Sequence, residues 1–240
     1  MTRSNSRSRS TDARVDRATA LAFGRRLRAW YRRNARDLPW RRTRDPYAIL
    51  VSELMLQQTQ VSRVVTRYGE FLEQFPTLAD VGRAKPGRVM EAWEGLGYYA
   101  RARNLHRLAR RVTDSGRSPD AALPAEPARL RELPGIGAYT AGAVASFAYE
   151  RRAPLVDTNV ARVLGRVFAP TANVKTSKGQ AMVWRIAEAI LPRTGRATWT
   201  HNQALMELGA LVCTARVAHC DRCPVQPLCR SAKPGRAAPP

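Results

Sequence analysis

The stretch of ten residues from Leu133 to Gly142 constrains the fold of this chain more than any other. Pro134 ends a preceding helix, because its ring fixes φ and it has no amide hydrogen, and Gly135 and Gly137 permit a tight turn with positive φ. A helix of small residues restarts at once, so the stretch predicts a helix, a hairpin turn and a second helix. The turn is either a plain corner between helices or a place where free backbone amides hold a phosphate.

The rest of the chain predicts helices as well. Apolar residues recur at helical spacing and no stretch alternates with a period of two, so the predicted fold class is all-α. Asp45 and Pro46 are a good N-cap and first-turn pair for a helix that runs through Met55. Further helices are expected at about 61–75, 86–94, 101–112, 141–149, 178–191 and 202–212, with a loop at 192–198.

The net charge of +22, from 41 basic and 19 acidic residues, favours a polyanionic partner, and nucleic acid is the leading candidate. No apolar run approaches the roughly 20 residues that a membrane-spanning helix needs, so no membrane association is expected. The first fourteen residues contain Arg, Ser, Thr and Asn with hardly an apolar side chain, which is typical of a disordered basic tail. They fit neither a secretory signal nor an organellar presequence, so we expect a cytoplasmic, nucleoid-associated protein.

Two carboxylates stand in positions that suit chemistry. Glu53 interrupts an apolar helix, where it either faces solvent or is desolvated, with a raised pKa that would let it give up a proton. Asp157 directly precedes a helix, where it is either only an N-cap or a carboxylate that the helix also keeps ionised.

The turn from Gly95 to Tyr99 places two tyrosines beside a basic run that begins at Arg101. It is either a helix linker whose tyrosines pack inward or a loop that inserts an aromatic wedge into DNA between phosphate-binding residues.

Four cysteines occur, all within seventeen residues near the end of the chain, in the pattern C-x6-C-x2-C-x5-C. A disulfide framework is not expected in a long cytoplasmic chain, whereas four thiolates this close can converge on one metal centre. Zinc and a cubane iron-sulfur cluster both suit the set, which comprises Cys213, Cys220, Cys223 and Cys229.

These motifs, in this order, resemble the helix-hairpin-helix DNA glycosylase superfamily, and within it the MutY-type adenine DNA glycosylases. The resemblance runs from about Leu38 to Cys229. It rests on the hairpin LPGIG with Asp157 twenty residues past its last glycine, on SELMLQQTQV, on GLGYYARARNLH and on the cysteine array.

The resemblance implies a two-domain all-α fold that holds double-stranded DNA with a mispaired base. A six-helix barrel with the hairpin would span residues 43–150, and residues 17–42 with 151–230 would form a domain with a [4Fe-4S] cluster on the four cysteines. Residues 1–16 and 231–240 would be tails, and the protein would be a monomer. Such enzymes cut the bond between an extruded base and deoxyribose.

The resemblance also implies roles for single residues. Glu53 matches the family's general acid, and Asp157 matches the carboxylate that stabilises the oxocarbenium-like sugar, as the chemistry requires. Tyr139 and Asn159 match residues that line the catalytic centre. The residues expected to contact DNA are Gln58, Leu56, Tyr98, Gly135, Gly137 and Arg101.

Two departures from the family refine the expectation. Endonuclease III-type relatives carry a lysine nucleophile where Tyr139 stands, so without it we expect a monofunctional glycosylase with no lyase activity. Full-length adenine glycosylases carry a further domain that recognises 8-oxoguanine, whereas this sequence ends eleven residues after Cys229, so we expect a smaller preference for 8-oxoguanine opposite adenine.

The expected activity is therefore hydrolysis of the N-glycosidic bond of adenine mispaired with guanine or 8-oxoguanine. A mismatch thymine or uracil glycosylase of the same superfamily is the nearest alternative, and a non-catalytic DNA-damage-binding protein is an alternative of another class. The sequence around Glu53 favours adenine, and the presence of both carboxylates favours an enzyme.

Overall fold

The structure, a computed structural model, describes residues 15–114 and 122–232 of the chain, and in these ranges it is helical with no β-strand. The all-α prediction is confirmed. The α-helices are α1 Arg17–Asn34, α2 Pro46–Leu56, α3 Val61–Gln74, α4 Leu78–Arg83, α5 Pro86–Ala92, α6 Ala100–Asp114, α7 Pro127–Leu130, α8 Ala138–Tyr149, α9 Thr158–Phe168, α10 Ser177–Ala189 and α11 Gly195–Leu211.

Side-chain caps explain where several helices begin. Asp45 Oδ1 accepts a hydrogen bond from Ala48 N at 2.7 Å, as the sequence predicts, and Asp16 caps α1 in the same way through Thr19 N. Asp16 was expected in a tail, as was Ser231, whose amide donates to Arg166 O at 3.2 Å. The other predicted tail residues, 1–14 and 233–240, lie outside the described residues.

One helix was missed, and another begins earlier than predicted. α4 was not predicted, although Thr77 and Asp80 form a capping box at its start. The expected loop at 192–198 ends early, because Thr194 Oγ1 accepts from Ala197 N at 3.3 Å and α11 begins at Gly195.

The helices pack in two groups. In one, α2 is buried over nearly its whole length and packs on α3, α6 and α8. In the other, α9 packs on α10 and α11, and α11 packs on α1. The groups meet where α8 contacts α11. Gly142 of α8 also lies against the segment that precedes α9, where a Cβ would be only 2.1 Å from Pro154 O, so glycine is required at this position. Among the described residues, no helix is long and apolar enough to cross a bilayer.

Candidate active site and nucleic-acid interface

A cleft of roughly 1430 Å³ opens between the two groups of helices. It is large enough for a nucleotide, since ligand pockets are commonly about 300–1,000 Å³. Its lining includes seven of the residues that the sequence singled out, namely Glu53, Leu56, Gln58, Gly137, Tyr139, Asp157 and Asn159. Tyr98, Gly135 and Arg101 lie outside this lining, on or behind neighbouring surfaces.

Glu53 lies in the last turn of α2, and its side chain is buried at the floor of the cleft, with 3% of the residue exposed. The Tyr139 hydroxyl, from the first turn of α8, donates a hydrogen bond to Glu53 Oε2 at 2.6 Å. Burial raises the pKa of Glu53, and although the hydrogen bond from Tyr139 opposes this, the pKa rises to about 7. Glu53 is thus desolvated, and it can carry a proton near neutral pH.

Asp157 approaches the same cleft from the start of α9. Its Oδ1 accepts from Val160 N at 2.6 Å, and its Oδ2 accepts from Asn159 Nδ2 at 3.3 Å. Burial raises the pKa of Asp157, while the bond from Val160 N opposes the rise. The negative charge of Asp157 in turn raises the pKa of Glu53, so an ionised Asp157 favours a protonated Glu53. Asp157 is therefore both an N-cap and a lining residue of the cleft.

A second buried carboxylate in the cleft was not predicted from the sequence. Glu207 of α11 is fully buried, and its Oε2 accepts from Arg36 Nη2 and from Arg41 Nη2, each at 2.8 Å. Burial alone would raise the pKa of Glu207, but the hydrogen bonds from both arginines lower it to about 2. The available signal was a glutamate between apolar residues of a helix, whereas arginines do not stand out in so basic a chain.

Two turns beside the cleft hold left-handed residues that are not glycine. Gln58, which follows the end of α2, has φ 57°, and Tyr98, which precedes α6, has φ 46°. Gln58 is exposed and Tyr98 is 61% exposed, although the Tyr98 ring also lies over the Arg101 guanidinium, with 5.5 Å between Arg101 Cζ and the ring centroid. Non-glycine residues adopt this conformation at a cost, and such residues cluster at functional sites, although Glu150 adopts it as the C-cap of α8.

The hairpin is braced against α6. Gly135 has φ 77°, and a Cβ there would lie 2.6 Å from the Cβ of Asn104, so glycine is required by both conformation and space. Gly137 is the N-cap of α8 and is exposed, as is Gly135. The amides at the start of α8 therefore lie beside an open surface, as an anion site requires.

Arg101 does not occupy the position expected of a phosphate contact. The residue is 7% exposed, and its guanidinium donates to backbone carbonyls of the two turns, including Gln57 O at 2.5 Å and Gly97 O at 2.8 Å. These bonds direct its donors into the protein and away from solvent. Arg101 thus supports the turns from inside, and little of its guanidinium is open to solvent.

The four cysteines line one apolar cavity between α9, α11 and the segment that follows α11. Burial raises the pKa of Cys223 to about 11 and also raises that of Cys229, with smaller contributions from the neighbouring thiols. Arg166 Nη1 lies 3.4 Å from Cys213 Sγ, which places positive charge beside the sulfur. No group of three or more His, Cys, Asp or Glu residues within 15–114 and 122–232 is arranged to hold a metal ion.

Arg162 joins the cysteine segment to the cleft. Its Nε donates to Cys213 O at 2.9 Å, and its Nη2 donates to Asn159 Oδ1 at 2.8 Å. The cysteine nearest α11 and the site residue Asn159 are therefore held by one side chain.

Comparison of the sequence with protein families matches residues 51–189 to the HhH-GPD superfamily base excision DNA repair proteins. The chain is 42% identical to the adenine DNA glycosylase of Homo sapiens over 226 residues, which cover 90% of this chain and 40% of that protein. It is 44% identical to the adenine DNA glycosylase of Mycolicibacterium smegmatis over 200 residues, which cover 83% of this chain and 66% of that protein. The chain thus spans less than two thirds of the length of these relatives.

Solved structures show the same fold. A thermostable thymine-DNA glycosylase superposes with a TM-score of 0.79 at 28% identity, covering 90% of this chain and 97% of that one. A trapped endonuclease III–DNA covalent intermediate superposes with a TM-score of 0.75 at 23% identity, covering 92% of this chain and 99% of that one.

Proposed function

This chain belongs to the HhH-GPD superfamily of base excision DNA repair proteins, and from that membership we propose that it is a monofunctional glycosylase that releases adenine mispaired with guanine or 8-oxoguanine. The observation that carries the proposal is the pair of carboxyl groups in the cleft. Glu53, with its pKa near 7, can donate a proton, and the hydrogen bonds from Val160 N and Asn159 Nδ2 favour an ionised Asp157 beside it.

The reaction breaks the bond between C1′ of the deoxyribose and the ring nitrogen of the extruded adenine. The bonding electron pair leaves with the base, and Glu53 gives its proton to a ring nitrogen of adenine, which makes the base a better leaving group. The positive charge that develops on the sugar is stabilised by the carboxylate of Asp157. Water then adds to C1′, and the carboxylate of Glu53 accepts a proton from that water.

Tyr139 and Asn159 orient the two carboxyl groups. The Tyr139 hydroxyl fixes Glu53 Oε2, and the Asn159 amide donates to Asp157 Oδ2 while Arg162 holds its oxygen. Rigid support of this kind lowers the reorganisation needed during reaction. A tyrosine at position 139 leaves the hairpin without an amine that could form a Schiff base, which supports a glycosylase without lyase activity.

Borohydride trapping tests the absence of lyase activity. We expect little covalent complex with a duplex that the enzyme has cleaved at the glycosidic bond. Lys175 also lines the cleft, so the Lys175→Arg variant is the matched control for adventitious trapping. Efficient trapping that survives this substitution would contradict a monofunctional enzyme.

DNA binding is proposed from charge and from the exposed surfaces beside the cleft. The net charge of +22 favours binding through counterion release. The left-handed turns at Gln58 and Tyr98 present exposed side chains that can enter the duplex where a base has been extruded, and the hairpin amides beside Gly135 can hold a phosphate. Leu56, on the lining of the cleft, can contact the same gap.

We also propose that the four cysteines hold a [4Fe-4S] cluster. The chemistry of the donor set suits the group, because four cysteines line one cavity and a cubane cluster takes one thiolate at each iron, although the described residues are not arranged around a metal ion. Arg166 offsets the negative charge of such a group at Cys213. When bound, the cluster would tie the segment from Cys213 to Cys229 against α9. Anaerobically purified protein should be brown and contain about four iron atoms per chain, whereas stoichiometric zinc without iron would contradict the proposal.

The substrate is decided by measuring single-turnover release of adenine, thymine and uracil from duplexes that differ only at the mispair. We expect release of adenine opposite guanine and opposite 8-oxoguanine. The thymine-DNA glycosylase fold is the reason to include pyrimidines. If thymine or uracil is released while adenine stays in the duplex, the protein is a mismatch pyrimidine glycosylase and the adenine proposal is wrong. If no base is released but mispaired DNA binds tightly, the protein is a damage-binding protein.

A further inference from the structure

The Arg101 guanidinium joins two segments of the backbone, residues 54–57 and residues 96–97. Its Nη1 donates to Leu54 O at 2.7 Å and to Met55 O at 2.8 Å, at the end of α2. The same nitrogen reaches Gln57 O, and Nη2 reaches Leu96 O at 2.9 Å and Gly97 O at 2.8 Å. A single side chain on α6 thus ties the last turn of α2 to both left-handed turns.

The charge of Arg101 is balanced by carbonyl oxygens. None of the carboxylates described in the structure forms an ion pair with it. Leu54 and Met55 belong to the last turn of α2, whose carbonyls have no partner within the helix, and a cation at this end also interacts favourably with the helix dipole. The fork of a guanidinium can satisfy several such oxygens at once, whereas an ammonium group cannot span them.

Two of these carbonyls belong to the peptide planes next to the two left-handed residues. Gln57 O belongs to the peptide plane that precedes Gln58, and Gly97 O belongs to the plane that precedes Tyr98. Because φ is the rotation about N–Cα relative to the preceding peptide plane, holding that carbonyl restrains one side of the φ torsion. Arg101 therefore holds the planes on which the φ values of 57° and 46° depend. Strained values of this kind persist only where surrounding contacts enforce them.

We propose that Arg101 is a positioning residue that sets the turns at Gln58 and Tyr98, and the end of α2 that carries Glu53, in one fixed arrangement. It acts through these segments and does not contact DNA itself. The inference rests on the proposed function, since the turns matter for reaction only if they enter the duplex around an extruded base.

The test compares Arg101→Lys and Arg101→Met with Arg110→Lys. Arg110 lies on the same helix, is exposed and pairs only loosely with Asp114 at 3.9 Å, so its substitution controls for the loss of an arginine from α6. Four quantities are measured for each purified protein. The first is hydrogen-deuterium exchange of residues 54–60 and 95–99 without DNA. The others are base release in single turnover with excess enzyme, affinity for undamaged duplex, and the fluorescence of 2-aminopurine at the target position.

We expect Arg101→Lys to accelerate amide exchange in both segments by about tenfold and to slow single-turnover release by about tenfold or more, while duplex affinity changes by less than about threefold. Fluorescence of 2-aminopurine at the target position should rise less than with the wild-type protein, because the turns no longer stabilise the extruded base. Arg110→Lys should match the wild-type protein in every measurement. If Arg101→Met does not fold, Arg101→Lys alone carries the test.

Unchanged exchange in both segments of Arg101→Lys would overturn the inference. So would faster exchange accompanied by wild-type base release, because the turns would then not need Arg101 for reaction. If the wild-type protein releases no base from any duplex, the proposed function fails. In that case, the exchange and 2-aminopurine results still decide whether Arg101 positions the turns.

Discussion

Two glutamates face the same cleft, each with no more than 3% of its surface exposed, and they differ in how readily they ionise. Glu53 on α2 has a neutral tyrosine as its partner and a pKa of about 7, whereas Glu207 on α11 has two arginines and a pKa of about 2. Removal from water raises both pKa values, so the difference comes from the partner that each chain segment supplies. Burial thus provides a proton donor in one place and a permanent anion in the other.

The partners also differ in what they do for stability. Glu207 draws the linker between α1 and α2 onto α11, since Arg36 and Arg41 both come from that linker. Glu53 receives one hydrogen bond and keeps a desolvated carboxyl group ready to react. The first arrangement supports the wall of the cleft, and the second carries the chemistry.

The largest expected effect is loss of activity in Glu53→Gln. The amide keeps the shape but cannot donate an acidic proton, so single-turnover adenine release should fall by about 10²–10⁴-fold while duplex binding is retained. Glu73→Gln, an exposed substitution on α3, is the control and should release base at the wild-type rate. If Glu53→Gln releases base at the wild-type rate, the proton of Glu53 is not needed for the reaction.

The next effect is on stability, in Glu207→Gln. Arg41, whose side chain is 9% exposed, would lose its counter-ion in a buried setting, and the half-buried Arg36 would lose it as well, so the free energy of unfolding should fall by up to about 3–5 kcal/mol. Chemical denaturation measures it, with Glu188→Gln as the matched control, since Glu188 pairs with Arg152 on the surface. That control should cost about 0–1 kcal/mol. Equal losses of unfolding free energy in the two variants would show that the buried ion pairs of Glu207 contribute no more than the surface pair of Glu188.

A smaller effect concerns the pH dependence of stability. The folded-state pKa of Glu53, about 7, lies above its ordinary value of 4.5, so the folded protein binds more protons between these values and loses stability as pH rises through them. Glu53→Gln removes this loss. Relative to the wild type, the variant should therefore gain on the order of 1–3 kcal/mol between pH 5 and pH 8. A relative loss over that interval would mean that Glu53 is stabilised in its ionised form.

The smallest effect is a shift of the pH profile in Tyr139→Phe. The hydroxyl bond favours ionised Glu53, so its removal should raise the pKa of Glu53 further. The alkaline limb of base release, which falls as Glu53 loses its proton, should move upward by about one pH unit, with a loss of less than about tenfold at low pH. A downward shift would show that the tyrosine favours protonated Glu53.

The sequence predicted helices and the residues that form recognisable motifs, because periodicity and capping act over a few neighbours. It placed Asp157 at an N-cap and Glu53 in an apolar helix, and the structure puts both at one cleft. It did not identify Glu207, whose partners come from more than 160 positions earlier in the chain. The sequence also favoured Arg101 as a DNA contact, because the order of residues alone does not distinguish a buried guanidinium from an exposed one.

The pairing of α1 with α11 joins the first and last α-helices of the described chain. During synthesis, Phe23 and Leu27, both fully buried in the finished protein, emerge long before α11. At about 5–20 residues per second, this wait lasts roughly 10–40 s. Helices α2 to α8 can meet their neighbours in that interval, but Arg36 and Arg41 have no Glu207 to bind. One wall of the cleft therefore closes only after α11 has been synthesised, and until then the apolar face of α1 is open to chaperones.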